Sequence, residues 1–269
     1  MLKNRYLILL GVICLMAFMS CNKHTQILKS TDNEFKYKAA MAYYEQKDYN
    51  RALQLFDVLQ SAYRGKPQGE EIAYCTAECY YNMKDYVTAS HHFTTYFNTY
   101  PRGIYAETAR FMSARALYLD TPDPRLDQSS TIRAISEIQV FTDYYPYSKY
   151  KEQAHNMLYE LHDRLVEKEY RAAQLYFDLG NYMGNNYQAC IITAQNALND
   201  YPYTKLREDL SILMLRARFH MAKESVADKM TDRYRDTIDE YYSFKNEFPE
   251  SKYLKEAERI YRDSQKAIK

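Results

Sequence analysis

The feature that most constrains the fold of this chain is an aromatic–proline step that recurs along it. The prolines at 101, 146, 202 and 249 each follow an aromatic residue and an amphipathic stretch, and they are 45, 56 and 47 residues apart. The last three open a nearly identical phrase in which Ser or Thr stands two residues after the proline. Because the residue before a proline avoids the α-helical region, each step predicts the end of one helix, and the Ser or Thr predicts the N-cap of the next. The pattern therefore predicts a repeat of helix pairs.

A second pattern inside each repeat indicates the type of helix pair. An aromatic residue closes the turn between two helices, a small residue follows three positions later, and a further apolar residue follows four positions after that. These positions are Tyr49, Tyr86 and Tyr187, then Ala52, Ala89 and Cys190, then Phe56, Phe93 and Ala194. This is the second half of a tetratricopeptide unit. With only 6 Gly in the chain, we predict an all-α tetratricopeptide-repeat solenoid of about five helix pairs plus a C-terminal capping helix.

The repeat domain is predicted to span residues 33–269, with all seven prolines outside its helices. Asp120–Ser130 contains two prolines and is predicted to be an inserted loop, and Lys149–Leu179 is either one long helix or two abutting ones. The turn of unit four carries a second small insertion, Met183–Asn186. The other predicted helices are about Asn33–Gln46, Tyr49–Tyr63, Gln68–Met83, Tyr86–Asn98, Ile104–Leu119, Thr131–Asp143, Tyr187–Asn199, Leu206–Lys223, Thr231–Asn246 and Ser251–Ala267.

The N-terminal residues are predicted to be a targeting segment. Lys3 and Arg5 precede an apolar run that is too short to be a secure membrane span, and the run ends in Ser20-Cys21. A small residue before Cys at this position is typical of a bacterial lipobox, so residues 1–20 are predicted to be a lipoprotein signal peptide. Cys21 would carry the lipid, including palmitate, and residues 21–32 would form a lipidated tether. The alternative is an ordinary cleaved signal peptide with an incidental cysteine.

The composition excludes several classes of function. Removing Lys3 and Arg5 takes the formal net charge from +1 to −1, and no basic stripe of the kind that binds nucleic acid is present. No glycine-rich phosphate loop and no G-x-S-x-G or H-E-x-x-H motif occurs. Cys75 and Cys79, with His91 and His92 nearby, could form a metal site, but a C-x3-C spacing alone is weak. We predict packing cysteines, no metal, no cofactor and no catalytic residue.

The first helices of the repeats offer a candidate binding surface. Tyr37 and Tyr44 in unit one share their register with Tyr74 and Tyr81 in unit two. Such a ladder presents rigid aromatic area with hydrogen-bonding tips, which suits an extended peptide that ends in an aromatic residue. The alternative is that these tyrosines only cover the packing between repeats.

Several phrases, taken in order, resemble the BamD family, the tetratricopeptide lipoproteins of the outer-membrane β-barrel assembly machine. The lipobox precedes the first repeat, an inserted loop lies in unit three, and a long helix follows the aromatic–proline step at Tyr145-Pro146. The residues that carry the likeness are Cys21, Tyr43–Ala52, Asp127-Gln128, Tyr145–Tyr150, Leu161–Leu165, Glu169-Tyr170, Tyr176, Gly180 and Tyr201-Pro202. Met183–Asn186 and Ala194 depart from the family pattern, in the region that the family uses to hold its partner.

The resemblance implies a non-enzymatic scaffold that is lipid-anchored at the periplasmic face of the outer membrane, and Asn22 in place of Asp fits that location. Its partners would be the POTRA domains of a BamA-like barrel, bound through the C-terminal units, together with other assembly-machine subunits. Unfolded outer-membrane proteins would bind to the N-terminal units. Two alternatives remain at this point: a SusD-like glycan-binding lipoprotein and a tetratricopeptide coordinator of cell-wall synthesis.

Overall fold

The computed structural model describes residues 23–269, and these residues form helices joined by short turns, with no strand among them. The helix over residues 23–29, α1, lies in the segment 21–32 that the sequence assigned to a tether. The others are α2 (Asn33–Glu45), α3 (Tyr49–Gln60), α4 (Pro67–Asn82), α5 (Tyr86–Thr99), α6 (Ala106–Leu119), α7 (Ser129–Tyr144), α8 (Lys151–Leu179), α9 (Asn186–Asp200), α10 (Arg207–Lys223), α11 (Ala227–Glu247) and α12 (Leu254–Ala267). The fold is all-α, as predicted.

The chain divides into two compact units. Unit 1 comprises the described residues up to Thr121 together with Ile132–Ala154, and unit 2 comprises Pro122–Thr131 and His155–Lys269. Helix α8 is a single uninterrupted helix of 29 residues, which decides between the two alternatives that the sequence left open for this segment.

Within each compact unit, helices that follow one another in the chain pack together, as a helix-pair repeat requires. In unit 1, successive helices from α2 to α6 contact one another, and in unit 2 the same is true from α9 to α12. Ala52 and Ala89 are fully buried and let paired helices approach closely, while Phe56 and Phe93 fill the space between them. The predicted tetratricopeptide positions are therefore the core positions, and the repeat prediction is confirmed.

The turns inside the helix pairs vary in length. In the first two helix pairs, Lys47 and Lys84 adopt positive φ values of 61° and 65°. The residue after each is an aspartate, which accepts a backbone N–H and caps the following helix. Gly180 takes the corresponding left-handed position with φ 55°. Residues 181–184 then separate Gly180 from the cap Asn185. The turn 180–185 is thus three residues longer than the turns 46–48 and 83–85, and the insertion predicted at Met183–Asn186 extends one residue too far, because Asn186 is the first residue of α9.

The turns between one pair and the next all have the same length. They are 61–66, 100–105, 145–150, 201–206 and 248–253, each of six residues. The predicted N-cap role of the Ser or Thr in these turns is wrong, because α10 and α12 begin three residues after it and their N-cap residues make no side-chain bond. Pro67 is also an exception to the prediction, since it is the first residue of α4, where a proline costs no hydrogen bond.

The Ser and Thr hydroxyls instead link each turn to the preceding helix pair. Each hydroxyl oxygen accepts the backbone N–H two residues on, at 2.9–3.2 Å. Each also donates to a carboxylate on the first helix of the preceding pair, which we call a turn-anchoring carboxylate. The pairs are Ser148 with Glu107 at 2.5 Å, Thr204 with Asp163 at 2.9 Å and Ser251 with Glu208 at 2.5 Å. Glu70 plays the same part for the turn 100–105 by accepting the N–H of Ile104 at 2.8 Å.

Candidate functional site

The four tyrosines of the predicted groove lie in unit 1, on α2 and α4, and all are half-buried. Their hydroxyls are not free tips. The Tyr37 hydroxyl donates to Glu71, and the Tyr44 hydroxyl donates to Glu78 Oε2 at 3.0 Å. The Tyr74 hydroxyl donates to the other oxygen, Glu78 Oε1, at 3.0 Å. Two glutamates of α4 therefore hold three tyrosine hydroxyls and join α2 to α4.

The electrostatics follow from this arrangement. Burial, reinforced by the neighbouring carboxylates, raises the pKa of Tyr37, Tyr44 and Tyr74 well above the ordinary value of a phenol. The three phenols are neutral donors at any physiological pH. The carboxylates that face them make this part of the surface acidic.

Tyr81 differs from the other three. Its hydroxyl makes no hydrogen bond within residues 23–269. Its ring packs edge-on against the Tyr86 ring, with the two centroids 5.6 Å apart. The Arg115 guanidinium of α6 lies 5.9 Å from the centroid of the same ring. Arg115 is exposed. It occupies on α6 the register position that Glu78 occupies on α4, so the face changes from acidic to basic along unit 1.

The structure thus brings the four predicted tyrosines onto one face, and it also gives them a packing role. The repeat register puts Glu71 and Glu78 on the same face as the tyrosines, but it does not identify them as the acceptors. The available signal was a carboxylate located 34 residues after two of the tyrosines of α2, at Tyr37–Glu71 and Tyr44–Glu78.

A second candidate surface is a cavity of about 470 Å³ in unit 2. Phe177, Phe219 and Ile260 supply its apolar lining from α8, α10 and α12. Arg216 donates two parallel hydrogen bonds to Glu256, at 2.8 and 2.7 Å, and these bonds lower the pKa of that carboxyl. This pair leaves no net charge at the centre of the cavity.

The rim of the cavity carries an excess of positive charge. Lys223 and Arg259 are exposed, and neither forms an ion pair with another residue in the range 23–269. The carboxylate of Asp263 is 3.8 Å from Lys266. An apolar floor with unpaired cations at its edge fits an acidic partner surface that also presents an apolar side chain.

The remaining candidates from the sequence are accounted for as packing residues. Cys75, Cys79 and Cys190 are free and buried, and burial raises the pKa of each thiol to about 12. The His92 ring stacks on Tyr80 with centroids 4.8 Å apart. Within residues 23–269, no three His, Cys, Asp or Glu side chains are grouped as metal ligands would be. The lipid-attachment residue predicted at Cys21 lies outside the described residues.

Comparison with known proteins identifies the family. No helix within residues 23–269 is long and apolar enough to span a membrane. No curated protein matches the chain. The family model described as YfiO, outer membrane lipoprotein, matches residues 29–233, which is well over half of the chain. The matched range contains the four tyrosines and the α8 and α10 side of the cavity, but not the α12 side. The chain therefore belongs to the YfiO family of outer-membrane lipoproteins, which is the BamD-like family.

Proposed function

We propose that the protein is a lipid-anchored, non-enzymatic scaffold of the β-barrel assembly machinery at the periplasmic face of the outer membrane. The observation that carries this proposal is the family match over residues 29–233, on a chain whose described residues form helix-pair repeats. Acyl chains on Cys21 would hold the scaffold at the membrane, because two or more chains on one protein give stable attachment.

The cavity of unit 2 supports a partner-binding role. A POTRA domain of a BamA-like barrel is a folded domain, and a folded partner is recognised by a patch with an apolar centre and a charged rim. Lys223 and Arg259 are the rim cations that have no ion-pair partner in the described chain. They would meet carboxylates on the partner, and other subunits of the machine would bind elsewhere on the repeats.

The tyrosine face of unit 1 supports the second role, the binding of unfolded outer-membrane proteins. The hydroxyls of Tyr37, Tyr44 and Tyr74 are already bonded to glutamates. A bound peptide would therefore contact the edges of these aromatic rings and not their hydroxyls. Tyr81, with the exposed Arg115 above its ring, is the position where an aromatic side chain and a terminal carboxylate could bind together.

The partner-binding role is tested by charge reversal. The tagged protein is extracted in mild detergent, and the recovered proteins are quantified by mass spectrometry. We expect Lys223→Glu with Arg259→Glu to lower recovery of a POTRA-containing barrel at least tenfold. The matched control is Lys255→Glu with Arg262→Glu, which reverses two exposed charges of α12 that do not line the cavity. Equal losses in both variants would remove the cavity from the proposal. Recovery of a TonB-dependent transporter or cell-wall enzymes in place of the barrel would contradict the assembly role itself.

The substrate-binding role is tested at Tyr81, the groove tyrosine whose hydroxyl makes no hydrogen bond within residues 23–269. The affinity of a fluorescent peptide with the sequence of a barrel C-terminus is measured by anisotropy. We expect Tyr81→Ala to weaken binding and Tyr81→Phe to leave it unchanged, since only the ring is used. The double variant Tyr44→Ala with Tyr81→Ala should weaken binding further. A correctly folded Tyr81→Ala protein with wild-type affinity would rule this face out.

A further inference from the structure

The residues that follow Cys21 are packed onto the first repeat. Helix α1 has two buried side chains one turn apart, His24 at 7% exposure and Ile27 at 5%. The His24 ring lies edge-on to Tyr43 with centroids 5.4 Å apart, and its Nε2 is 2.9 Å from the Gln54 side-chain oxygen. Ile27 joins the apolar core of α2, α3 and α4. Helix α1 therefore covers the end of the first helix pair.

The connection from α1 to α2 is also fixed. The Ser30 N–H donates to the Ile27 carbonyl at 3.1 Å, and the Asp32 N–H donates to the Ser30 hydroxyl at 3.1 Å. Asp32 in turn caps α2 by accepting the N–H groups of Glu34 and Phe35 at 2.9 and 3.0 Å. Residues 23–32, which we call the N-terminal docking segment, thus have hydrogen bonds along their length and behave as part of unit 1.

The distance from the lipid to this segment is short. Cys21 precedes Lys23 by two residues, and a chain spans at most about 3.6 Å per residue, so the lipidated residue lies within about 7 Å of the start of α1. A free segment of ten residues would add about 35 Å of reach, and docking removes it. The exposed charged residues of α1 are Lys23 and Lys29, and no carboxylate occurs between them. Their charge is complementary to headgroup phosphates.

We propose that the N-terminal docking segment holds the first helix pair directly against the lipid headgroups, with Lys23 and Lys29 in contact with phosphates. The segment is then a rigid attachment and not a flexible tether. This inference rests on the proposed lipidation of Cys21. The partner is the lipid surface itself, and unit 1 is the unit that lies beside it.

Hydrogen exchange tests whether the segment is docked. The lipidated full chain is placed in nanodiscs of phosphatidylethanolamine and phosphatidylglycerol, and exchange is followed in the peptide covering residues 23–32. We expect slow exchange in the wild type and in Gln26→Glu, which adds a charge at an exposed position of α1. Ile27→Glu should release the segment and raise its exchange to that of an unstructured peptide. Ile27→Ala is the milder second variant in case Ile27→Glu disturbs α3. Fast exchange in the wild type would overturn the docking.

Energy transfer tests whether docking sets the position at the membrane. A donor dye on Asn50→Cys is paired with acceptor dyes on lipid headgroups, and the native buried thiols at Cys75, Cys79 and Cys190 stay unlabelled. We expect high, narrowly distributed transfer in the wild type, and lower, broader transfer in Ile27→Glu. At low salt, Lys23→Glu with Lys29→Glu should also lower transfer, and 1 M salt should abolish that difference. Equal transfer in all variants would overturn the inference.

The mass of the N-terminal peptide separates this inference from the proposed function. If that mass shows no lipid on Cys21, the lipid anchor fails, and the headgroup contact fails with it. If lipid is present and transfer does not depend on Ile27, only the inference fails.

Discussion

Removal of the Glu78 carboxylate should destabilise unit 1, because this side chain accepts hydrogen bonds from two tyrosines at once. A hydrogen bond to a charged group contributes about 1.5–3 kcal/mol, and Glu78→Ala leaves the hydroxyls of Tyr44 and Tyr74 without their acceptor. Both phenols are half-buried, so water recovers part of the loss. We expect the free energy of unfolding to fall by about 2–3 kcal/mol. For a unit of this size, the midpoint of thermal unfolding should fall by about 5–10 °C.

Glu78→Gln separates the charge from the shape of the side chain. The amide can accept from one tyrosine and donate to the other, so we expect a loss of only about 1 kcal/mol. The pKa of Tyr44 and Tyr74 should fall in this variant, because burial and the Glu78 charge both raise it in the wild type. Absorbance titration at the phenolate band measures the change.

The same phenols give stability a definite pH dependence. Their folded-state pKa lies above the unfolded value of 10.0, so the stability they contribute is fully present below pH 10 and is lost as the pH rises beyond it. Urea unfolding between pH 8 and 11 should show this decline, with a shallower slope in Glu78→Gln. The control is Glu45→Ala, at an exposed glutamate of α2, which should change stability by less than about 0.5 kcal/mol. If Glu78→Ala costs no more than this control, the two hydrogen bonds do not stabilise the fold.

Two further predictions concern a turn and the thiols. Gly180→Ala and Gly65→Ala both force alanine into a positive φ, but only at Gly180 would the new Cβ meet a neighbour, the Tyr187 hydroxyl at 2.9 Å. We expect losses of about 2 and about 1 kcal/mol respectively in urea unfolding, and equal losses would contradict the steric argument. The buried thiols, each with a pKa of about 12, are those of Cys75, Cys79 and Cys190. In the folded protein at pH 8 they should react with a thiol reagent far more slowly than in 6 M urea. Rapid reaction of the folded protein would contradict their burial.

The helices of the repeats and their pairing could be predicted from the sequence because their signals are local. Prolines and aromatic residues mark the ends of helices, and small residues at fixed spacing mark the close contacts, as at Ala52 and Ala89. The partner of Ser251 could not be predicted in the same way. Its hydroxyl bonds to Glu208, 43 residues away, and that pairing exists only after the repeats pack. The repeated Pro-x-Ser/Thr phrase is visible in the sequence, but it predicts a local helix cap at Ser251 and not the contact with Glu208.

The candidate site was predictable to a similar depth. Register placed Tyr44 and Tyr81 on one face, because residues at the same position in successive repeats lie side by side. It gave no information on which hydroxyl would find an acceptor, since that depends on the distance between α2 and α4. Helix α1 was missed for a related reason. Residues 23–29 contain only two aliphatic side chains, Ile27 and Leu28, and their burial depends on the groove that α2 and α3 provide.

The turns differ in how freely their length can change during evolution. The turns between helix pairs are uniformly six residues long, and in three of them an added residue would displace the Ser or Thr from its turn-anchoring carboxylate. The turns within pairs are not tied in this way, and they range from three residues at 46–48 to nine at 120–128. New sequence can therefore enter within a pair without moving a hydroxyl of the turn between pairs away from its turn-anchoring carboxylate. These inner turns are where a lineage could acquire a loop for a new subunit, and where an epitope or reporter can be inserted with the least damage.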